Sequence, residues 1–430
     1  MGSASGAEVL AGCDAPREKA RIRFVRRPID EAFPMSSRLA SSVGEIDVLR
    51  GLAIVLMIVN HSGNEWLDPR AAQGGPLSAL VFVGSFAPVL FFFSTGFGVA
   101  LSTRSGSGAP DVFSALWKAA LLLVADQMLF WKAGGAWGLD FLGFIAFSML
   151  VVTAIARYRR PVALSLALLA GLLVLRYGLG PMMRSSLAGG GVLAWVVGVS
   201  AIEHVSYPVT SWLLYPLLGF VAGRFHRPVQ GTPGGWQRQI IGALAIAGVF
   251  LSGAFVMYLG GMGFFRWGVV SAGYLVLSVG VLSLAAALAM LVCVRWPKLM
   301  RMLSARGTAS LAVVPIHYGL LDLSMGVLKM PVDAPTCLLL MLALIVSSMV
   351  MSHLFAREIA KRIAGTTGLA MFVPLSAVLL ASIAWLLCMA PSTGAASVAC
   401  TAGQLAVAGI LALRTHRKGS PAQLQKPVLS

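Results

Sequence analysis

The sequence predicts an all-α fold, a polytopic membrane bundle of about 12 transmembrane helices. Three observations carry this. Hydrophobic residues make up 58% of the chain and charged residues only 11%, with a mean hydropathy of +0.84; soluble domains are less apolar. The apolar residues come as long runs divided by short loops rich in Arg, Gly and Pro, without the apolar–polar alternation of a membrane β-barrel. The 33 Lys and Arg outnumber the 16 Asp and Glu, giving a net charge of +17, and they gather in short loops and tails as the positive-inside effect requires. No basic helix face with aromatic platforms accompanies that charge, so membrane lipid is the expected partner and nucleic acid is not.

Residues 1–43 read as a disordered, basic cytoplasmic tail carrying Arg17, Lys19, Arg21, Arg23, Arg26 and Arg27. The main bundle is expected over 44–365, an additional helix pair over 366–414 and a second cytoplasmic tail over 415–430. The first span covers 46–62, and the second, 77–102, is expected to kink at Pro88. The third covers 112–131. The fourth opens at Asp140 and ends in Arg157-Tyr158-Arg159-Arg160, an inside marker. The fifth covers 162–178. The stretch from Pro181 to Tyr207 reads as an outer re-entrant or surface segment, because the next span, 210–224, ends in Arg224-Phe225-His226-Arg227 and should finish inside. Spans at 239–260, 267–294, 308–328 and 335–355 follow, with basic inner ends at Arg295–Arg306 and Arg357–Arg362. Spans at 367–389 and 396–413 complete a bundle with both termini cytoplasmic.

The first span carries the chemistry most worth following. It begins Glu45-Ile46-Asp47-Val48-Leu49-Arg50 and ends Asn60-His61-Ser62-Gly63-Asn64. Arg50 and His61 are eleven residues apart, about three helical turns, so they share one face roughly 16 Å apart along the axis. Ionisable groups at such depth are costly and face a bundle interior or a wet cavity. A neutral imidazole at 61 can take a proton or carry an acyl group; it can equally be a ring hydrogen-bonded at the interface. Asn60 and Asn64 can orient a substrate. Arg50 suits a phosphate or carboxylate, or it is an anchor paired with Asp47. His317 and Asp322 in the ninth span, and Asp126 in the third, either join a site or act as polar glue between helices. Glu203-His204 reads as a surface pair. The five cysteines lack metal-ligand spacing, so no metal is expected. No phosphate-cradling glycine loop, CxxC, HExxH or GxSxG motif is present. A transporter or flippase lined by Arg50, Asp126 and His317 is the alternative to an enzyme.

Ile46-Asp47-Val48-Leu49-Arg50-Gly51-Leu52-Ala53 followed by His61 resembles the first helix of the membrane acyltransferase family 3 proteins and their relatives. Pro88–Phe97 is similar to that family's Phe-rich helix, and Gly307-Thr308-Ala309-Ser310-Leu311 with Ile316-His317 is similar to its late helix. Met57–Asn64 resembles the glucan succinyltransferases; Asp140-Phe141-Leu142 and Trp212–Gly219 resemble relatives of heparan-α-glucosaminide acetyltransferase. The resemblance implies an enzyme that moves an acyl group, acetyl above all, from cytoplasmic acyl-CoA to a periplasmic or surface glycan in the inner membrane. Acyl-CoA (acetyl-CoA) would be a co-substrate, with no permanently bound cofactor. It implies His61 as base or acyl carrier, Arg50 on the donor side and His317 as a second site residue. The chain departs from the family in having only Arg104 where many members carry an Arg-x-x-Arg pair.

Overall fold

A computed structural model describes residues 44–68, 75–104, 112–135, 137–183, 196, 206–226, 235–261, 270–305, 308–328, 331–365, 368–388 and 394–418. The basic tail 1–43, most of the expected re-entrant segment with Glu203-His204, and residues 419–430 lie outside them.

The described residues form an all-helical bundle. The helices are α1 Gly44–Trp66, α2 Pro76–Gly84, α3 Ala87–Arg104, α4 Val112–Lys132 and α5 Phe141–Ala156. Then come α6 Pro161–Met183, α7 Val209–Trp212, α8 Leu214–His226, α9 Gly235–Leu259, α10 Ala272–Arg295 and α11 Pro297–Leu303. The last four are α12 Thr308–Val327, α13 Ala334–Gly365, α14 Gly368–Cys388 and α15 Gly394–Lys418. Among the described residues ten segments are long and apolar enough to cross a membrane, α2 and α3 counting as one. The chain is a multi-pass membrane protein. Two segments expected as spans, α5 and α8, are shorter, with 16 and 13 residues.

The second span is interrupted beside Pro88, as expected. It breaks at Ser85-Phe86, in the turn before Pro88, where a proline removes the bond to the carbonyl four residues back and crowds it. Pro88 thus sits in the first turn of α3, where its missing N–H costs little. The break keeps Gly84 against α1, where a Cβ would lie 2.7 Å from the Leu56 carbonyl oxygen. The fifth span runs on through a π-helical turn, Val174–Leu179. The tenth, α13, has 32 residues, about 48 Å of helix against a hydrocarbon core of about 30 Å.

Small residues set a close helix crossing. At α3–α8 a Cβ on Gly96 would lie 1.8 Å from the Pro216 carbonyl oxygen, and one on Gly219 2.0 Å from that of Phe93. Helices in lipid gain stability from such close backbone approach, because burying apolar surface gains little there. Around this crossing Phe92 packs against Phe144, Tyr207 and Trp212.

α1 lies at the centre. It contacts α2, α3, α10, α12 and α13. Both of its ends are tied down. At the Arg50 end, the Asp47 carbonyl accepts the Ala305 N–H (3.1 Å) and His226 of α8 lies 3.5 Å from the Glu45 carboxylate. At the His61 end, Val332 and Leu67 form a short bridge, with the Val332 N–H donating to the Trp66 carbonyl (2.9 Å). α15 packs against α4 and α12, and the Gln404 side chain donates to the Ala125 carbonyl (2.7 Å).

Candidate active site

His61 and His317 meet. Their rings stack with centroids 5.3 Å apart, and His61 Nδ1 lies 3.0 Å from His317 Nε2. His317 is fully buried, and its Nδ1 is 3.1 Å from the Val313 carbonyl oxygen one turn back in α12. A carbonyl only accepts, so His317 Nδ1 carries the hydrogen and its Nε2 is the bare nitrogen of the neutral ring. That nitrogen accepts from His61 Nδ1–H, which leaves His61 Nε2 without a hydrogen. The logic is that of a catalytic triad, in which a second group fixes the tautomer of the base. Tyr318 completes the cluster: its hydroxyl is 3.5 Å from His61 Nε2 and its ring stacks on His61 at 5.0 Å.

His61 and Tyr318 line a cavity of about 300 Å³ whose other walls include Asn60, Asn64, Ser85, Asp140, Ser206 and Tyr207. Asn60 is steadied by donating to the Val81 carbonyl (3.1 Å) and by accepting from Asn64 (3.3 Å). In the connections flanking the helices, burial pushes the Asp140 carboxyl above the usual range, opposed by hydrogen bonds from Ser206 and the Phe141 backbone. Burial likewise raises the Tyr207 phenol, so it stays a neutral donor.

Arg50 lines a second cavity, of about 380 Å³, together with Lys118, Ser94, Thr95, Ser102 and Ser310. Asp47 lies 3.5 Å from the guanidinium. Arg50 is half-buried and Asp47 buried, and pairing makes such a charge tolerable. The lining residues common to both cavities are Phe141, Leu142 and Val314. The two hollows therefore lie back to back along α1, one holding the guanidinium and the other the imidazole.

Of the residues singled out from sequence, His61, Asn60 and Asn64 border the first cavity and Arg50 the second, with Asp47 behind it. His317 stands behind His61. Asp126 and Asp322 border neither cavity. Asp126 accepts the N–H of Asp140 (2.8 Å) and of Leu142 (3.0 Å), satisfying donors at the start of α5 that have no partner within the helix. Asp322 pairs with Lys132 of α4. Tyr318, Tyr207, Ser206 and Lys118 were not expected in the site. Tyr318, adjacent to His317, and Lys118, a cation within an apolar span, carried a local signal. Among the described residues no group of three or more His, Cys, Asp or Glu is placed to hold a metal ion.

Residues 43–259 match the model of the heparan-alpha-glucosaminide N-acetyltransferase catalytic family. The chain belongs to this family. The match covers half of the chain, and the family model describes a catalytic domain, so the protein is an acetyltransferase. It takes in α1 to α9, and with them Arg50, Asn60, His61, Asp126 and Asp140; His317 and Tyr318 lie beyond it. No curated protein matches the chain.

Proposed function

We propose that this acetyltransferase takes an acetyl group from acetyl-CoA held in the Arg50 cavity and passes it to a hydroxyl or amine of a glycan admitted to the His61 cavity. The observation that carries the reading is the pair of cavities back to back along α1, one lined by two cations and several hydroxyls and the other by an imidazole with a bare nitrogen. The family supports acetyl as the group transferred. Arg50 and Lys118 suit the phosphates of a nucleotide thioester. The distance of roughly 16 Å along α1 lets a pantetheine arm bring the thioester toward His61 while the nucleotide stays at the Arg50 end.

In this scheme the acceptor O–H or N–H gives its proton to His61 Nε2 as its heteroatom attacks the thioester carbonyl. The His61 ring becomes an imidazolium, with His317 Nε2 accepting from its Nδ1–H. The C–S bond breaks, the acetyl group stays on the acceptor, and the proton passes to the CoA sulfur. The Tyr318 hydroxyl is the nearest donor for charge developing on the carbonyl oxygen. Base and oxyanion donor together supply the usual means of acyl transfer.

The same reading sets the orientation. Basic loops and the positive-inside effect put the Arg50 end of α1, and both termini, in the cytoplasm of a cell inner membrane, with the His61 cavity toward the periplasm. The test is release of free CoA from acetyl-CoA by the purified protein with glycan acceptors. Acceptor-dependent release that His61→Ala abolishes is the expected result. Equal turnover by the variant removes His61 from the chemistry, and absence of acetyl-CoA binding overturns the donor reading.

A further inference from the structure

We infer that Phe141, Leu142 and Val314 form an acyl-size filter that admits short, uncharged acyl groups from the Arg50 cavity to the His61 cavity. The inference rests on the proposed donor route. These residues line both cavities, so a thioester entering on one side and reacting on the other passes between them. For reaction, its carbonyl carbon must come within about 3–3.5 Å of the attacking atom. The acyl group then occupies part of a hollow of about 300 Å³ that must also hold the acceptor.

The wall is built to keep its shape. The first turn of α5, which carries Phe141 and Leu142, is latched by the two hydrogen bonds to Asp126. Gly143 makes the latch possible: a Cβ there would lie 2.5 Å from Asp126 Oδ2. The Phe141 ring is held by Phe91, edge-on at 5.1 Å, and by Phe92, stacked at 5.7 Å. Val314 is buried in α12, one turn from His317. A rigid wall discriminates by size, because an extra methylene that cannot be accommodated displaces packed atoms. All three side chains are apolar, so an acyl group ending in a carboxylate would lose its hydration there with nothing to replace it.

The test uses the purified full-length protein and follows CoA release from acetyl-CoA, butyryl-CoA and succinyl-CoA. The unmodified protein should turn over acetyl-CoA well and the other two poorly. Val314→Ala and Leu142→Ala should each raise the butyryl-to-acetyl turnover ratio by about tenfold, the order of discrimination that a methylene or two supplies in an apolar pocket. Acetyl-CoA turnover in each variant reports that it is folded, and the two substitutions lie on different helices, so either one carries the test. An unchanged ratio in a variant that still uses acetyl-CoA overturns the filter alone. Equal use of all three thioesters by the unmodified protein overturns it as well. No turnover of acetyl-CoA by the unmodified protein overturns the donor reading and the filter together.

Discussion

His61 Nδ1 lies 3.0 Å from His317 Nε2, across 256 residues of sequence. One hydrogen bond therefore joins the first helix to the twelfth and decides which nitrogen of His61 is available to a substrate. Replacing His317 by Phe keeps much of the ring volume and removes the acceptor. The expected result is a fall in kcat of about 100-fold or more with a much smaller change in KM for the donor, since proton transfer is affected more than binding. Steady-state CoA release measures both. An unchanged kcat assigns His317 to packing.

Arg50 is expected to act on the donor. Arg50→Lys keeps the charge and loses the planar fork, and Arg50→Ala loses both. The KM for acetyl-CoA should rise in that order, by about tenfold for Ala, while a saturating donor restores most of the rate. Lys118→Ala should raise the same KM. A loss confined to kcat in both variants overturns a donor role.

Asp126 is expected to hold the fold rather than touch substrate. Asp126→Ala leaves the Asp140 and Leu142 N–H groups without their acceptor, at a cost of about 1–3 kcal/mol for each buried donor left unpaired. Thermal unfolding in detergent should show a clear drop in Tm. Asp126→Asn, which keeps one acceptor oxygen, should fall in between. Gly143→Ala should resemble Asp126→Ala, because its Cβ competes for the carboxylate's place.

The α3–α8 crossing is expected to fail on a single methyl group. Gly219→Ala places a Cβ 2.0 Å from the Phe93 carbonyl oxygen, backbone that cannot yield without moving a helix. A lower Tm follows. Gly248→Ala, where a Cβ would meet nothing within 4 Å, is the control and should leave Tm unchanged.

Membrane orientation has its own measurement. Single cysteines at positions 185 and 230, in a background without the native cysteines, should label from opposite sides of the membrane with an impermeant thiol reagent. Labelling from one side would overturn the reading of 181–207 as an outer segment.

Much of the bundle was legible in the sequence for a local reason: an apolar run long enough to cross a membrane announces itself wherever it lies. Both helices flanking Lys132–Trp137 and the long run ending at Arg295 fall where their composition places them. The break at Ser85-Phe86 was legible through Pro88, which disrupts the turn before it; the packing of Gly84 against α1 was not, because that contact belongs to another helix.

The site divides along the same line. Sequence alone determined that Arg50 and His61 share one face of one helix, since helical geometry converts a spacing of eleven into a shared direction. It marked both residues as unusual, since charge in an apolar span is rare unless it is used or paired. Tertiary structure alone decided the rest: that His317 sets the His61 tautomer, that Asp126 latches α5, and that Phe141, Leu142 and Val314 stand between the two cavities. The physical reason is that helices in a bilayer are apolar all round, so hydrophobic periodicity does not say which face meets which neighbour. Packing between segments far apart in the chain makes that choice, and with it the site.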